Sequence, residues 1–314
     1  MRSEDRVAVL LCTYNGEKYL AEQLDSLIGQ TYDNFVCYVH DDGSKDRTMQ
    51  ILEEYKQKMQ DRLVITQYQN DRHSASYNFC SLTKYADEKL DEQYIMFCDQ
   101  DDVWLPEKIE KAVDAVKSAE ADGEPALSYC DQKIVNERLE VMFNSNDEII
   151  RRTEADKTFR RIVFRNIACG CCICINRPLL RLVCEGMDID DVVMHDWWVM
   201  LVAEAAGNVV YVPESLMLYR QHGNNSLGAD NNNYLRKAQK YMKDFGGSMK
   251  NRSEQTQKCI RQVYALRKII KSCKYKAEIK NFCRAMKKGK VYRMNFIRRE
   301  GYLSPNNYIT LLFV

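Results

Sequence analysis

The chain runs to 314 residues, 45% hydrophobic and 29% charged, enough to bury a sizeable core and unlike a disordered or membrane-embedded sequence. No apolar run reaches the length of a bilayer span, and the charged start MRSEDR lacks the apolar stretch of a secretion signal, so a cytoplasmic protein is expected. The net charge of +1 conceals a division: residues 231–314 carry 21 Lys and Arg against 4 Asp and Glu, which leaves an acidic body and a basic C-terminal region suited to an anionic partner.

Thirteen cysteines would fit a secreted disulfide framework, but the number is odd. Several (Cys12, Cys37, Cys98, Cys130) fall in apolar, strand-like runs, where a thiol acts as a small hydrophobe. Cys169, Cys171, Cys172 and Cys174 lack a second ligand pair at zinc-finger spacing, so no zinc is expected.

In chain order, residues 7–13 (VAVLLCT) read as a buried strand, and residues 17–28 carry apolar side chains at helical spacing. The turn between them, Thr13, Tyr14, Asn15 and Gly16, offers backbone N–H groups and a flat ring to a nucleotide, although a plain turn would look the same. A second strand, 35–40, ends in Asp41-Asp42-Gly43-Ser44, and a helix follows over 45–59. A carboxylate at such a strand end accepts from a base or a ribose hydroxyl in dinucleotide folds. No GxGxxG or Walker loop is present.

Strand 63–68, the polar loop QNDRHSAS and helix 77–90 lead to residues 94–106, YIMFCDQDDVWLP. There a buried strand delivers Asp99, Asp101 and Asp102 at its carboxyl end, where open parallel sheets bind ligands. Three crowded acids repel one another unless a cation or donors sit among them. Mg or Mn holding a phosphorylated substrate is one explanation; a solvated acidic turn before the helix at 106–120 is the other.

This alternation of strand and helix implies a parallel sheet wound by right-handed crossovers. Beyond strand 126–131 the rhythm loosens. Residues 132–156 read as a mobile polar loop near the substrate, 158–165 as helix, 167–175 as strand and 178–184 as helix. His195-Asp196-Trp197-Trp198 then opens a helix; the acid is either a cap or a functional group, and one of the two Trp is expected to line a cavity. A strand at 209–212 follows, and residues 216–220 lead into Gln221-His222-Gly223. From residue 231 the chain is expected to be helical, with an apolar stripe from Ile260 to Met286 that either packs on the body or lies on an anionic bilayer. No nucleic-acid motif or stacking platform is present, so no nucleic-acid partner is expected.

Four stretches, VAVLLCTYNGEKYLAEQLDSLIGQTY, VHDDGSKDRT, FCDQDDVWLPEKI and HDWWVMLVAEAAGNVVYVPESLMLYRQHGNNS, follow in this order over about residues 5–228. Together they resemble family 2 inverting glycosyltransferases of GT-A fold, and within that family bacterial rhamnosyltransferases of cell-surface polysaccharide. The resemblance implies an α/β fold over residues 1–230, a Rossmann-like, mostly parallel sheet flanked by helices. The basic helical region 231–314 would follow as a membrane-surface or oligomer contact.

It further implies a nucleotide-sugar donor held by Thr13, Tyr14, Asn15, Asp42 and Asp99. Mg or Mn would sit on Asp99 and Asp101, with His222 a further contact and Asp102 left open as a ligand in place of Asp99. Asp196 matches the catalytic base, and Trp104, Trp197 and Trp198 are assigned toward the acceptor. The expected donor is dTDP-L-rhamnose, ahead of a UDP-hexose, UDP-galactofuranose or UDP-N-acetylhexosamine. The expected acceptor is a saccharide or lipid-linked saccharide at the inner face of the cell membrane. A non-catalytic nucleotide-sugar-binding protein is the alternative from another class; such a copy need not keep Asp99, Asp101 and Asp196 together.

Overall fold

Strand β1 (Val7–Thr13) is buried along its whole length. Both of its faces are covered: Val7, Val9 and Leu11 enter one core, and Ala8, Leu10 and Cys12 the other. The computed structural model describes residues 5–66, 72–120, 123–150, 153–222, 245–270, 273–303 and 308–314. From β1 the chain alternates through α1 (Leu20–Ile28), β2 (Phe35–Asp41), α2 (Thr48–Met59), β3 (Leu63–Ile65), α3 (Ala75–Lys89) and β4 (Tyr94–Cys98). Ser74 caps α3 by accepting from the Tyr77 N–H. The four strands pair parallel in the order β3-β2-β1-β4, as the crossover rule expects.

The second half departs from the parallel expectation. β5 (Val103–Trp104) and α4 (Lys108–Ala119) lead to β6 (Ala126–Val135). β8 (Ile173–Asn176) lies between β4 and β6 and runs antiparallel to both. Its chain arrives through a 3-10 turn, Gly170–Cys172, packed near the carboxyl end of β4, and from there the strand runs back. The strand expected at 167–175 shortens accordingly. The strand expected at 209–212 extends through residues 216–220 as one bent strand, β9 (Asn208–Arg220), parallel to β6 and antiparallel to β5.

The stretch 132–156 is not the expected loop. It completes β6 and adds the hairpin strand β7 (Val141–Phe143) and the short helix α5 (Asn146–Ile150). All three residues of β7 are exposed, so no alternation marks it. Helices α6 (Phe159–Ile162), α7 (Arg177–Gly186) and α8 (His195–Ala206) cover one face of the sheet.

The C-terminal region forms α9 (Phe245–Ile269), α10 (Lys276–Ala285) and α11 (Lys290–Arg299). Its apolar stripe does not lie free for a bilayer. Ile260, Val263, Leu266, Ile279, Phe282 and Met286 are buried in the same core as Leu10, Phe97 and Trp198. Gly186 permits this approach, since a Cβ there would lie 2.7 Å from Ile269 Cδ1 and 2.8 Å from Trp198 Cζ2. Gly223, and the helix expected over 231–244, lie outside the described residues. Among the described residues no helix is long and apolar enough to cross a membrane. All 13 cysteines are free thiols.

Candidate active site

A cavity of ≈ 840 Å³ opens where β1, β2 and β4 end, and Thr13, Tyr14, Asn15, Asp42, Asp99, Asp101 and His222 all line it. The loops around it are tied by side chains. Gln100 accepts from the Tyr14 N–H at 2.9 Å and donates to the Tyr14 carbonyl at 3.0 Å, joining the turn after β1 to the turn after β4. This holds Tyr14, 51% exposed, at the rim. Gly16 leaves room for the clip: a Cβ there would lie 2.3 Å from Gln100 Oε1. Asp41 accepts from the Thr13 hydroxyl and from the Gly43 and Ser44 N–H groups, and the next acid, Asp42, faces the cavity. Asp42 Oδ1 lies 3.0 Å from His73 Nδ1. Sequence reasoning passed over Gln100 as the spacer of an acidic triplet and His73 as part of a polar loop.

Asp101 Oδ2 lies 2.9 Å from His222 Nε2. Beside them the Asp99 carboxyl is pushed up, first by burial and then by the charges of Asp101 and Asp196. Such a surplus of negative charge against a cavity fits a hard divalent cation with oxygen ligands. Asp102 is a different kind of group. It is fully buried, accepts from the Arg220 N–H at 3.1 Å, and burial pushes its carboxyl well up. Asp99, Asp102 and Cys171 present ligand atoms within 4.8 Å of one another. Asp102 and Cys171 do not line the cavity, however, and a thiol suits Mg or Mn poorly. Asp99, Asp101 and His222 are the residues able to meet a cation carried by a substrate.

Arg220, 1% exposed, holds the acidic turn in place. Its Nε donates to the Asp101 carbonyl at 2.8 Å, Nη1 donates to the Glu137 carbonyl at 2.8 Å, and Nη2 pairs with Glu22. The guanidinium also lies 4.4 Å from the Tyr19 ring centre. Its only sequence signal is an Arg closing the apolar run SLMLY.

Asp196 sits in the first turn of α8 and is 4% exposed. Its Oδ1 accepts from the Trp197 N–H and its Oδ2 from the Gly170 N–H at 3.0 Å. Burial raises its carboxyl to about 6, against the pull of these donors. Asp196 does not itself line the cavity. Its neighbour His195 stacks on Phe79 at 4.1 Å, and Phe79 is part of the cavity wall. Burial lowers His195 to about 3, so its neutral ring holds a proton too weakly to be a good substitute base.

The tryptophan expectation is corrected. Trp197 and Trp198 donate their indole N–H groups to the Ile162 and Val183 carbonyls and belong to the core. α8 is buried on every side, so residues on its different faces all meet protein. Trp104 is 2% exposed, packed in the other core beneath the Lys108 ammonium at 4.9 Å. None of the three lines the cavity.

A sequence profile described as Glycosyl transferase family 2 matches residues 8–185. The dTDP-rhamnosyl transferase RfbG of Shigella flexneri is 28% identical over 229 residues, 70% of this chain and 74% of that protein. Among solved structures, S. aureus TarS 1-349 in complex with UDP-GlcNAc aligns with a TM-score of 0.54 at 15% identity, over 98% of this chain and 90% of that one. The mannosyltransferase PcManGT from Pyrobaculum calidifontis, in complex with GDP-Man and Mn2+, aligns with a TM-score of 0.53 at 17% identity, over 98% of this chain and 72% of that one. At these identities the structural likeness is one of fold.

Proposed function

The chain belongs to glycosyl transferase family 2, and from that premise we propose that it moves a sugar, with inversion, from a nucleotide-sugar donor to a hydroxyl of a saccharide or lipid-linked saccharide in cell-surface polysaccharide synthesis. It is a transferase of mixed α/β, GT-A fold. The observation that carries the finer reading is the convergence of Tyr14, Asp42, Asp99, Asp101 and His222 on one cavity at the strand ends. Tyr14 stacks on the base, Asp42 accepts from the base or its ribose, and Asp99, Asp101 and His222 face the diphosphate. Mg or Mn bound by these residues would offset the charge that develops on the leaving diphosphate.

Asp196 takes the proton of the acceptor hydroxyl while that oxygen attacks the anomeric carbon from the face opposite the diphosphate. One bond forms as the bond to the diphosphate breaks, and the configuration inverts without a covalent enzyme intermediate. With Asp196 buried, acceptor binding has to open the cavity wall at Phe79, on which His195 stacks. Acceptor contacts then come from this wall and not from Trp104, Trp197 or Trp198.

We take dTDP-L-rhamnose as the donor of first choice, supported by the Shigella relative's name as a dTDP-rhamnosyl transferase; UDP- and GDP-sugars are the competitors, after the ligands of the two structural relatives. A lipid-linked acceptor would place the work at the inner face of the cell membrane. A panel of sugar nucleotides scored for diphosphate release, with and without Mn, tests the reading. Turnover of dTDP-L-rhamnose above the others supports it. Tight donor binding with no turnover of any donor, across acceptors, would return a non-catalytic binding protein.

A further inference from the structure

The stretch from Lys280 to Arg299 holds eight Lys and Arg and no Asp or Glu. It makes up the second half of α10, the following turn and α11. Its apolar members Phe282, Met286, Phe296 and Ile297 are buried, which turns the cations outward. Arg284, Lys287, Lys288, Lys290, Arg298 and Arg299 are all exposed. Two other side chains stand among them. Val291 is 74% exposed and Tyr292 54%, in the first turn of α11 between Lys290 and Arg293.

A groove of ≈ 260 Å³ beside them is lined by Arg160, Arg284, Lys288 and Arg299, with Tyr292 and Phe296 in its wall. Its acids, Glu278 and Glu300, are engaged by Arg160 and Arg299. Arg284 and Lys288 have no ion pair among the described residues. Folding gains little from this arrangement. Like charges repel within a Debye length, and Val291, 74% exposed, buries little surface.

We propose that this corner of α10 and α11 docks on an anionic lipid bilayer, with phosphate headgroups against the cations and the groove, and Val291 and Tyr292 at the boundary of headgroup and acyl chain. The cations alone would serve any polyanion; the two exposed side chains decide among them. An aliphatic tip gains little from a phosphodiester backbone but is stabilised at the acyl boundary, and Tyr favours that interface. Attachment is shallow and reversible, because the rest of the apolar stripe is occupied inside the fold and the electrostatic part is screened by salt. The inference would suit a lipid-linked acceptor but does not depend on one.

The test sediments the full chain with vesicles of phosphatidylglycerol and phosphatidylcholine, and with phosphatidylcholine alone, at low and high salt. Binding is expected on the anionic vesicles at low salt, with release at high salt and none on phosphatidylcholine. K287E/K288E/K290E should lower partitioning by about 100-fold, from the contribution of each cation near an anionic surface. V291S/Y292S should lower it about tenfold with the charge unchanged. Melting temperature and diphosphate release, close to those of the unaltered chain, establish that both variants fold. Undiminished partitioning of either variant overturns the proposal, and so does retention on heparin without binding to the anionic vesicles. Partitioning is read without turnover, so the result stands apart from the donor assignment.

Discussion

Gly170 donates its N–H to Asp196 Oδ2 at 3.0 Å, and its missing side chain makes room for the neighbouring ring: a Cβ at 170 would lie 2.5 Å from His195 Nε2. The 3-10 turn before β8 and the first turn of α8 are thereby locked to each other around the expected base. Gly170→Ala should displace either the imidazole or the donated N–H. We expect a loss of about 1–3 kcal/mol, from overpacking a closed core, together with a fall in kcat at unchanged donor affinity. Chemical denaturation and donor titration of the variant check both parts; wild-type values of stability and kcat would dissolve the link.

Asp196→Asn should reduce kcat by about two to four orders of magnitude while the donor still binds, the usual weight of a positioned base. A base acts ionised, so with the carboxyl near 6 the rate should fall about tenfold per pH unit below that value and level off above it. Stability carries the opposite sign. The folded carboxyl is raised from 3.8 to about 6, so ionisation is harder in the folded chain, and stability declines as pH rises from about 4 to about 6. In the Asn variant that decline should be shallower, what remains coming from Asp99 and Asp102, whose carboxyls are also raised in the folded chain.

Much of this site is legible in the sequence because acids at the ends of apolar strands break the pattern locally, as Asp42 and Asp99 do. β1, β2 and β4 are legible for the same reason: short apolar runs bounded by turn residues have few other structures open to them. Arg220 is not legible, since its Glu22 partner is 198 residues away and nothing local marks it. Trp197 and Trp198 mislead because adjacency on a helix separates them in angle, which implies a cavity only when the helix has an open side. β8 hides its direction, which follows from where the Gly170–Cys172 turn sits and not from composition.

The pair Asp101 and His222 gives the metal prediction. Asp101→Asn should abolish Mn-dependent donor binding with little change in melting temperature, because a part-exposed carboxylate contributes little to stability. His222→Ala should weaken Mn dependence by roughly 10- to 100-fold, the range for a residue that supports or completes a metal site. Binding of Mn with donor must displace protons from the raised Asp99 carboxyl, so affinity should drop as the solution is acidified. Isothermal titration at two pH values and full activity assays in EDTA decide it; activity that ignores the chelator rules the metal out.

Tyr14 stands half exposed at the cavity rim, held there by the Gln100 clip on its backbone. Tyr14→Ala should raise the donor KM by about tenfold or more, since base-on-aromatic stacking contributes roughly 1–3 kcal/mol. Gln100→Ala should raise it less, by loosening the turn without removing the ring. Neither change should move kcat far. A kcat loss larger than the KM change would instead place Tyr14 at the reacting centre.

The basic C-terminal helices give the last prediction. Phe282 is fully buried, packed with Phe296 and Tyr302, and Ile279 and Met286 of the same helix are buried around it. This cluster is continuous with the core that holds Leu10, Phe97 and Trp198. Phe282→Ala should therefore destabilise the whole chain by about 3–5 kcal/mol, as deletion of a core aromatic does, and not loosen a separate appendage. Ending the chain near Asn231 would uncover the side of α7 and α8 that these helices protect, so we expect aggregation and no diphosphate release. Limited proteolysis and a single thermal transition in the full chain provide the check. Two well-separated transitions, or a soluble and active chain ending near residue 231, would show that the helices fold apart from the body and that their role lies outside its stability.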